Sequence, residues 1–301
     1  MLNIKRLLTA LTFVVVTSAS AQQLPQFTQY VYNTMSVNPA YAGSRQTLNV
    51  TALHRNQWAG IEGNPTTSTL SAHSPVKFSR IGLGLTYIND NLGDESTNYV
   101  YGNVSYTVPL SQTVNMSFGL NAGFTNYDLN TPDINDPFFS ESFSQWNPNL
   151  GAGIYVSNRM WYIGFSSPRL LNTDLNKGEF AAIERNSYYT IGGVVFDLGE
   201  ETKFKTTAIM KFTNGAPATY DVTANFLFFS KFWIGASYRF NDADSFGVLA
   251  DYQISKSFRA GYAYDVPTSE IRPYTGGTHE IILIYELPIK RLGGVKSPRF
   301  F

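Results

Sequence analysis

From residue 47 onward the chain alternates apolar and polar side chains in runs of about ten residues, and this period of two limits what it can fold into. The clearest run places Val114, Met116, Phe118, Leu120, Ala122 and Phe124 on one face, with Asn115, Ser117, Gly119, Asn121 and Gly123 on the other. Ile81, Leu83, Leu85 and Tyr87 alternate with Gly82, Gly84 and Thr86, and Phe246, Val248, Ala250, Tyr252 and Ile254 with Gly247, Asp251 and Gln253. Strands of soluble domains average about five or six residues. About ten is what a tilted strand needs to cross a bilayer. One apolar and one Gly, Asn, Ser, Thr or charged face is the pattern of a barrel with lipid outside and a polar interior. After Ala21 no apolar run approaches the roughly 20 residues of a spanning helix. The expected fold is all-β: a transmembrane antiparallel outer-membrane β-barrel in contact with outer-membrane lipid.

The links give a second test. Short ones are read at 77–80, 110–113, 157–159, 199–202, 229–231 and 255–257. Longer ones fall at 56–66, 89–96, 128–147, 168–186, 214–217, 241–244 and 266–278. Short and long alternate, as in barrels with short periplasmic turns and longer extracellular loops. The count is about fourteen strands, with 187–197 ambiguous in phase and 47–55 weakly patterned. Tyr87, Tyr106, Trp161, Phe228, Phe232, Trp233, Phe240 and Tyr285 lie toward strand ends, as aromatic girdles would.

Four regions result. Residues 1–21 read as a signal peptide: Lys5 and Arg6, an apolar run from Leu7 to Val16, then Ala19-Ser20-Ala21 as a cleavage site. Residues 22–44 are polar and aromatic without a clean period, expected to begin on the periplasmic side and either plug the lumen or dock a partner. Residues 45–287 form the barrel. Residues 288–301 form a basic tail, with Lys290, Arg291, Lys296 and Arg299, expected in the periplasm.

Composition removes several classes of activity. Lys plus Arg equal Asp plus Glu at 22 each, which argues against a nucleic-acid partner. The absence of cysteine excludes disulfides, thiolate metal sites and thiol nucleophiles. The three histidines, His54, His73 and His279, fall on different strands. His279-Glu280 lacks the second histidine of a zinc-protease motif, and no serine sits in a G-x-S-x-G elbow. No catalytic, cofactor or metal site is expected. Lys203, Lys205, Lys211, Asp221, Arg239, Asp251, Arg259 and Asp265 fall on lumen faces, and their mixed signs suit paired networks against a plug or bound polypeptide. His54-Arg55-Asn56-Gln57-Trp58, at a strand end, could pin the N-terminal segment. The residues expected to hold that segment or a partner are Phe27, Tyr30, Asn38, Pro39 and Tyr41 with His54, Arg55, Trp58, Arg239, Asp265, His279 and Glu280.

Several stretches resemble the PorP/SprF outer-membrane proteins of type IX secretion and gliding. These are Pro25-Gln26-Phe27-Thr28-Gln29-Tyr30, Asn38-Pro39-Ala40-Tyr41-Ala42-Gly43 and His54-Arg55-Asn56-Gln57-Trp58-Ala59-Gly60. Tyr162 to Pro168, Gly261-Tyr262-Ala263-Tyr264-Asp265, Gly277 to Leu283 and the ending Ser297 to Phe301 continue the likeness. The resemblance implies a non-enzymatic outer-membrane component. It would bind or anchor a cargo adhesin through a type B C-terminal targeting domain for export and surface display. It would associate with the translocon and with periplasmic ring and lipoprotein components. Two rival readings remain: an open or plugged channel for small solutes, and a lipid-acting enzyme using one of the histidines.

Overall fold

The alternation closes on itself. The computed structural model describes residues 26–45, 47–76, 79–129, 142–174, 183–241 and 244–288; residues 1–21, expected as a signal peptide, residues 22–25 and the expected tail beyond Pro288 lie outside them. The strands are β1 (Thr47–Asn56), β2 (Thr66–Pro75), β3 (Ile81–Leu92), β4 (Glu95–Pro109), β5 (Asn115–Leu129), β6 (Phe143–Ser157), β7 (Trp161–Ser167), β8 (Thr173–Asp174), β9 (Ile183–Glu184), β10 (Ser187–Asp197), β11 (Lys203–Thr213), β12 (Thr219–Phe228), β13 (Phe232–Phe240), β14 (Ser245–Gln253), β15 (Phe258–Pro267) and β16 (Thr278–Pro288). Fourteen of them form a closed barrel; β8 and β9 make a separate two-stranded ribbon between β7 and β10. Every pairing is antiparallel, and barrel partners follow one another in sequence except β7 with β10, which flank the ribbon, and the closing pair of β1 with β16, which runs from Thr47 opposite Pro288 to Asn56 opposite His279. Closure gives every barrel strand two paired neighbours, the arrangement a hydrocarbon surrounding requires.

The burial pattern is inverted relative to a soluble sheet. Leu85 is 67 % exposed while Lys205 is 0 % exposed, because apolar side chains line the outer wall and polar ones the interior. The weakly patterned stretch at 47–55 and the ambiguous one at 187–197 are both full barrel strands.

Three local expectations differ. The link expected at 89–96 is a two-residue turn, Gly93-Asp94, with Gly93 at φ +56°. Asn89, Asn91 and Ser96 read as loop residues, but Asn89 donates across the hairpin to Ser96 and Asn98, with Asn91 donating to Asn89 along its own strand, and the hairpin continues. Trp233, expected in a girdle, points inward and is 2 % exposed, held by the Lys205 ammonium 4.5 Å from its ring centre. Lys203 keeps the inward phase of Lys205 but sits at the rim beside the short turn, paired with Asp197.

The apolar core lies inside the barrel. One cluster joins Tyr30, Val31, Met35, Ala40 and Tyr41 to inward Tyr99, Tyr155, Tyr162, Tyr189 and Ile191; a smaller one joins Phe27 and Tyr32 to Leu53, Ile282 and Ile284. Residues 26–45 therefore do for this barrel what a second sheet does for a sandwich.

Candidate functional site

Residues 26–45 run lengthwise through the barrel, and three short 3-10 turns, Tyr30–Tyr32, Thr34–Ser36 and Pro39–Tyr41, keep them compact. The segment begins at the long-loop end, contrary to the periplasmic start expected from its position in the chain. There the Gln26 amide donates to Asp221 at 3.1 Å, and Asp221 accepts a guanidinium fork from Arg239, with contacts of 2.9, 3.2 and 2.9 Å. It finishes at the short-turn end, where Arg45 donates to the Tyr41 hydroxyl at 2.8 Å and pairs with Glu286. The barrel wall, and not chain order, sets this direction.

The tightest grip is at Thr28 and Gln29. The two oxygens of Glu280 accept their backbone N–H groups at 2.6 and 3.0 Å, and the same carboxylate pairs with Arg55. Arg55 lies 3.3 Å from Asp265 and donates to the Thr28 hydroxyl at 3.2 Å, while that hydroxyl donates to Asp265. Glu280 is wholly buried, and three donors meet its two oxygens, the pairing a buried carboxylate needs.

Midway, the Tyr32 hydroxyl donates to Asp251 at 2.6 Å, and Lys205 lies 4.7 Å from the Tyr32 ring centre. Asn33 donates to Thr69 and accepts from Ser71, both at 3.0 Å. Asn38 caps the third 3-10 turn: its side-chain oxygen accepts from the Ala40 N–H at 3.0 Å, and its amide donates to the Ile154 carbonyl at 3.1 Å. Replacing Asn38 with alanine removes both contacts and is expected to cost about 1–2 kcal/mol. A lower midpoint for unfolding in detergent reads this out; an unchanged midpoint contradicts the capping role.

Inward glycines make room for the segment's backbone. A Cβ on Gly119 would stand 2.1 Å from the Ala40 nitrogen, one on Gly82 2.1 Å from the Ala42 oxygen, and one on Gly153 2.3 Å from the Asn38 side-chain oxygen. One wall of the barrel is thus shaped to the segment, not merely compatible with it.

Of the sequence-derived candidates, Phe27, Tyr30, Asn38, Pro39 and Tyr41 lie on the segment, and Arg55, Arg239, Asp265 and Glu280 face it from the wall. His54 and His279 are on the outer face, bonded to Ser68 and Tyr262, because each is one residue out of phase with its inward neighbour. Trp58 lies in the β1–β2 loop at φ +55°, where its backbone N–H donates to Thr278. The histidine that does hold the segment is His73, whose Nδ1 accepts from the Gly43 N–H at 3.1 Å. Sequence reasoning also missed Thr28, Gln29, Arg45, Tyr32 and Glu286. Inward phase of His73 and Glu286 on their strands was the available signal. Among the described residues no cluster of three or more metal-ligating side chains occurs.

Known proteins add the following. No curated protein sequence matches the chain. Solved structures match by fold: CymD, described as a monoaromatic hydrocarbon channel, has 10 % identity and a TM-score of 0.54, covering 86 % of this chain and 93 % of that one. The outer-membrane protein Omp33 of Acinetobacter baumannii has 12 % identity and a TM-score of 0.45, covering 81 % of this chain and 100 % of that one. At these identities the likeness to CymD speaks to the barrel fold alone. The family model for the type IX secretion system membrane protein PorP/SprF matches residues 19–285, nearly the whole barrel and the segment inside it, so the chain belongs to the PorP/SprF family of type IX secretion system membrane proteins.

Proposed function

We propose that this protein is a non-enzymatic outer-membrane component of type IX secretion that anchors a cargo adhesin by its type B C-terminal targeting domain for surface display. The observation that carries this reading is the filling of the barrel by residues 26–45. A barrel whose interior is tied by buried charges and hydrogen bonds along its length suits a binding partner at its mouths better than free flow of solute through its centre. The solute-channel reading draws on fold likeness to a known channel and meets that occupied interior as an obstacle.

In this reading the long loops face the cell exterior and the short turns the periplasm, the usual orientation of such barrels. Translocon, ring and lipoprotein components would meet the short-turn end, where the tail begins. The Arg169 guanidinium, 4.1 Å from the Tyr99 ring centre and 3.4 Å from Glu184, ties the ribbon of β8 and β9 to the opposite mouth.

Gentle detergent extraction of the tagged protein from its native outer membrane, followed by mass spectrometry, tests the proposal. A large surface protein carrying a type B domain, or a translocon component, is expected at near-equal amount. Recovery of the barrel alone from cells that express such cargo would contradict it.

A further inference from the structure

The outer wall of β2–β6 stops being apolar well before the strands end. In register, Leu70, Tyr87, Val100, Phe124 and Pro148 form its last apolar row. The next row toward the long-loop end is Ser68, Asn89, Asn98, Asn126 and Trp146. Beyond it come Asn91, Ser96, Asp128 and Ser144. β5 has 15 residues. At about 3.3 Å per residue such a strand is far longer than a lipid-facing band of about 25 Å needs, even when tilted. With the long loops facing the cell exterior, as in the reading above, these rows stand beside the headgroups of the outer leaflet.

Their side chains are ordered by one another. Asn89 donates to Asn98 at 3.0 Å, the Tyr87 hydroxyl donates to Asn98 at 2.8 Å, Asn91 donates to Asn89 at 2.7 Å, and Asn126 donates to Ser144 at 3.1 Å. Asn126, 5 % exposed, anchors this set from below, while half-buried Asn89 keeps an acceptor and half-buried Asn98 a donor at the sheet surface. Trp146, 60 % exposed, stands at the end of the row. Ordered amides and hydroxyls beside an open indole face match sugar hydroxyls and the C–H face of a pyranose ring. Neither row contains Lys or Arg, and Asp128 is their single carboxylate, so phosphate finds no cation here.

Toward the membrane centre from these rows, the same strands form an apolar depression of about 790 Å³, with Leu83, Leu85, Val104, Leu120 and Ala122 around Gly102. A Cβ at Gly102 would meet nothing nearer than the Ala122 carbonyl oxygen at 3.8 Å, so the floor is open outward. Depression and amide rows are continuous with the lipid-facing wall, one above the other.

We propose that the outer wall of β2–β6 binds an outer-leaflet glycolipid, its acyl chain in the depression over Gly102 and its neutral sugars on the row of Asn89, Asn98 and Trp146. The site requires only the barrel in its membrane and is independent of the cargo reading. The test is native mass spectrometry of the full protein in detergent, supplied in parallel with a neutral diglycosyl diacylglycerol and with phosphatidylethanolamine. The wild type is expected to retain at least ten times more of the glycolipid. The double variant Asn89→Ala, Asn98→Ala should lose that preference while keeping phosphatidylethanolamine, and Gly102→Leu should retain less of both. Equal retention of the two lipids by the wild type, or an unchanged preference in the double variant, overturns the proposal. Should the double variant lose the fast gel mobility of an unboiled folded barrel, Trp146→Ala is read instead, with the same two outcomes.

Discussion

Replacing Glu280 with alanine is expected to free the start of the luminal segment and to lower stability by about 3–5 kcal/mol, the usual cost of removing one partner from a buried ion pair. The carboxylate satisfies two backbone N–H groups and Arg55 together, and the variant leaves all three buried with less than they had. Asp265, 3.3 Å from Arg55, offsets part of the lost charge but cannot reach both backbone donors. A cysteine placed at Gln26 should react with a water-soluble maleimide several times faster in the Glu280→Ala background. Glu280→Gln keeps shape and one acceptor, so it should fall between. Equal labelling rates in all three proteins would show that this carboxylate does not hold the segment.

The second large effect is steric. Gly119→Leu puts a branched side chain where a Cβ alone would come within 2.1 Å of the Ala40 nitrogen, with backbone on both sides of the contact. Overpacking of this kind typically costs about 1–3 kcal/mol when side chains can yield. Here the segment must leave its seat between Asn38 and Ala42. The internal control is Gly102→Ala, which faces outward with no atom nearer than 3.8 Å to the new Cβ and is expected to change almost nothing. Unfolding midpoints of the two variants, measured side by side, check this. Equal midpoints would mean that the segment does not rest on the β5 wall.

These two glycines also show what the sequence could and could not reveal. Both read simply as strand glycines, and only their phase distinguishes the lumen from the lipid side. The barrel itself was legible because outward Phe118, Leu120 and Phe124 against inward Ser117 and Asn121 is a pattern few folds tolerate. Strand ends were less legible. Asn89 and Asn91 have turn-like composition, and the β3–β4 ladder carries on through them with an added side-chain bond from Asn89 to Asn98.

Within the site, Asp265 was visible as a charge on an inward phase, and Arg55 and Glu280 as candidates in the stretches that hold them, yet nothing local said that they converge on Thr28 and Gln29. That convergence joins positions more than 200 residues apart, such as Thr28 with Asp265 and with Glu280, and is a property of barrel closure. His54 and His279 show the opposite error. Each adjoins a residue that does face the segment, and a single step along a strand reverses the face. The direction of the segment was hidden for a related reason. Chain order places its start before β1, but Asp221, Arg239 and Glu280 hold that start at the far end of the barrel. With both ends of the segment tied in this way, the strands must close around it, so barrel assembly and lumen filling are one event in this account.

The most direct test of the filled interior is the conductance of the full-length protein in a planar lipid bilayer. The account predicts a quiet membrane from the wild type, and current steps once residues 26–44 are removed. Stable porin-like steps from the intact protein would contradict it, because they would require a continuous water path where residues 26–45 now lie.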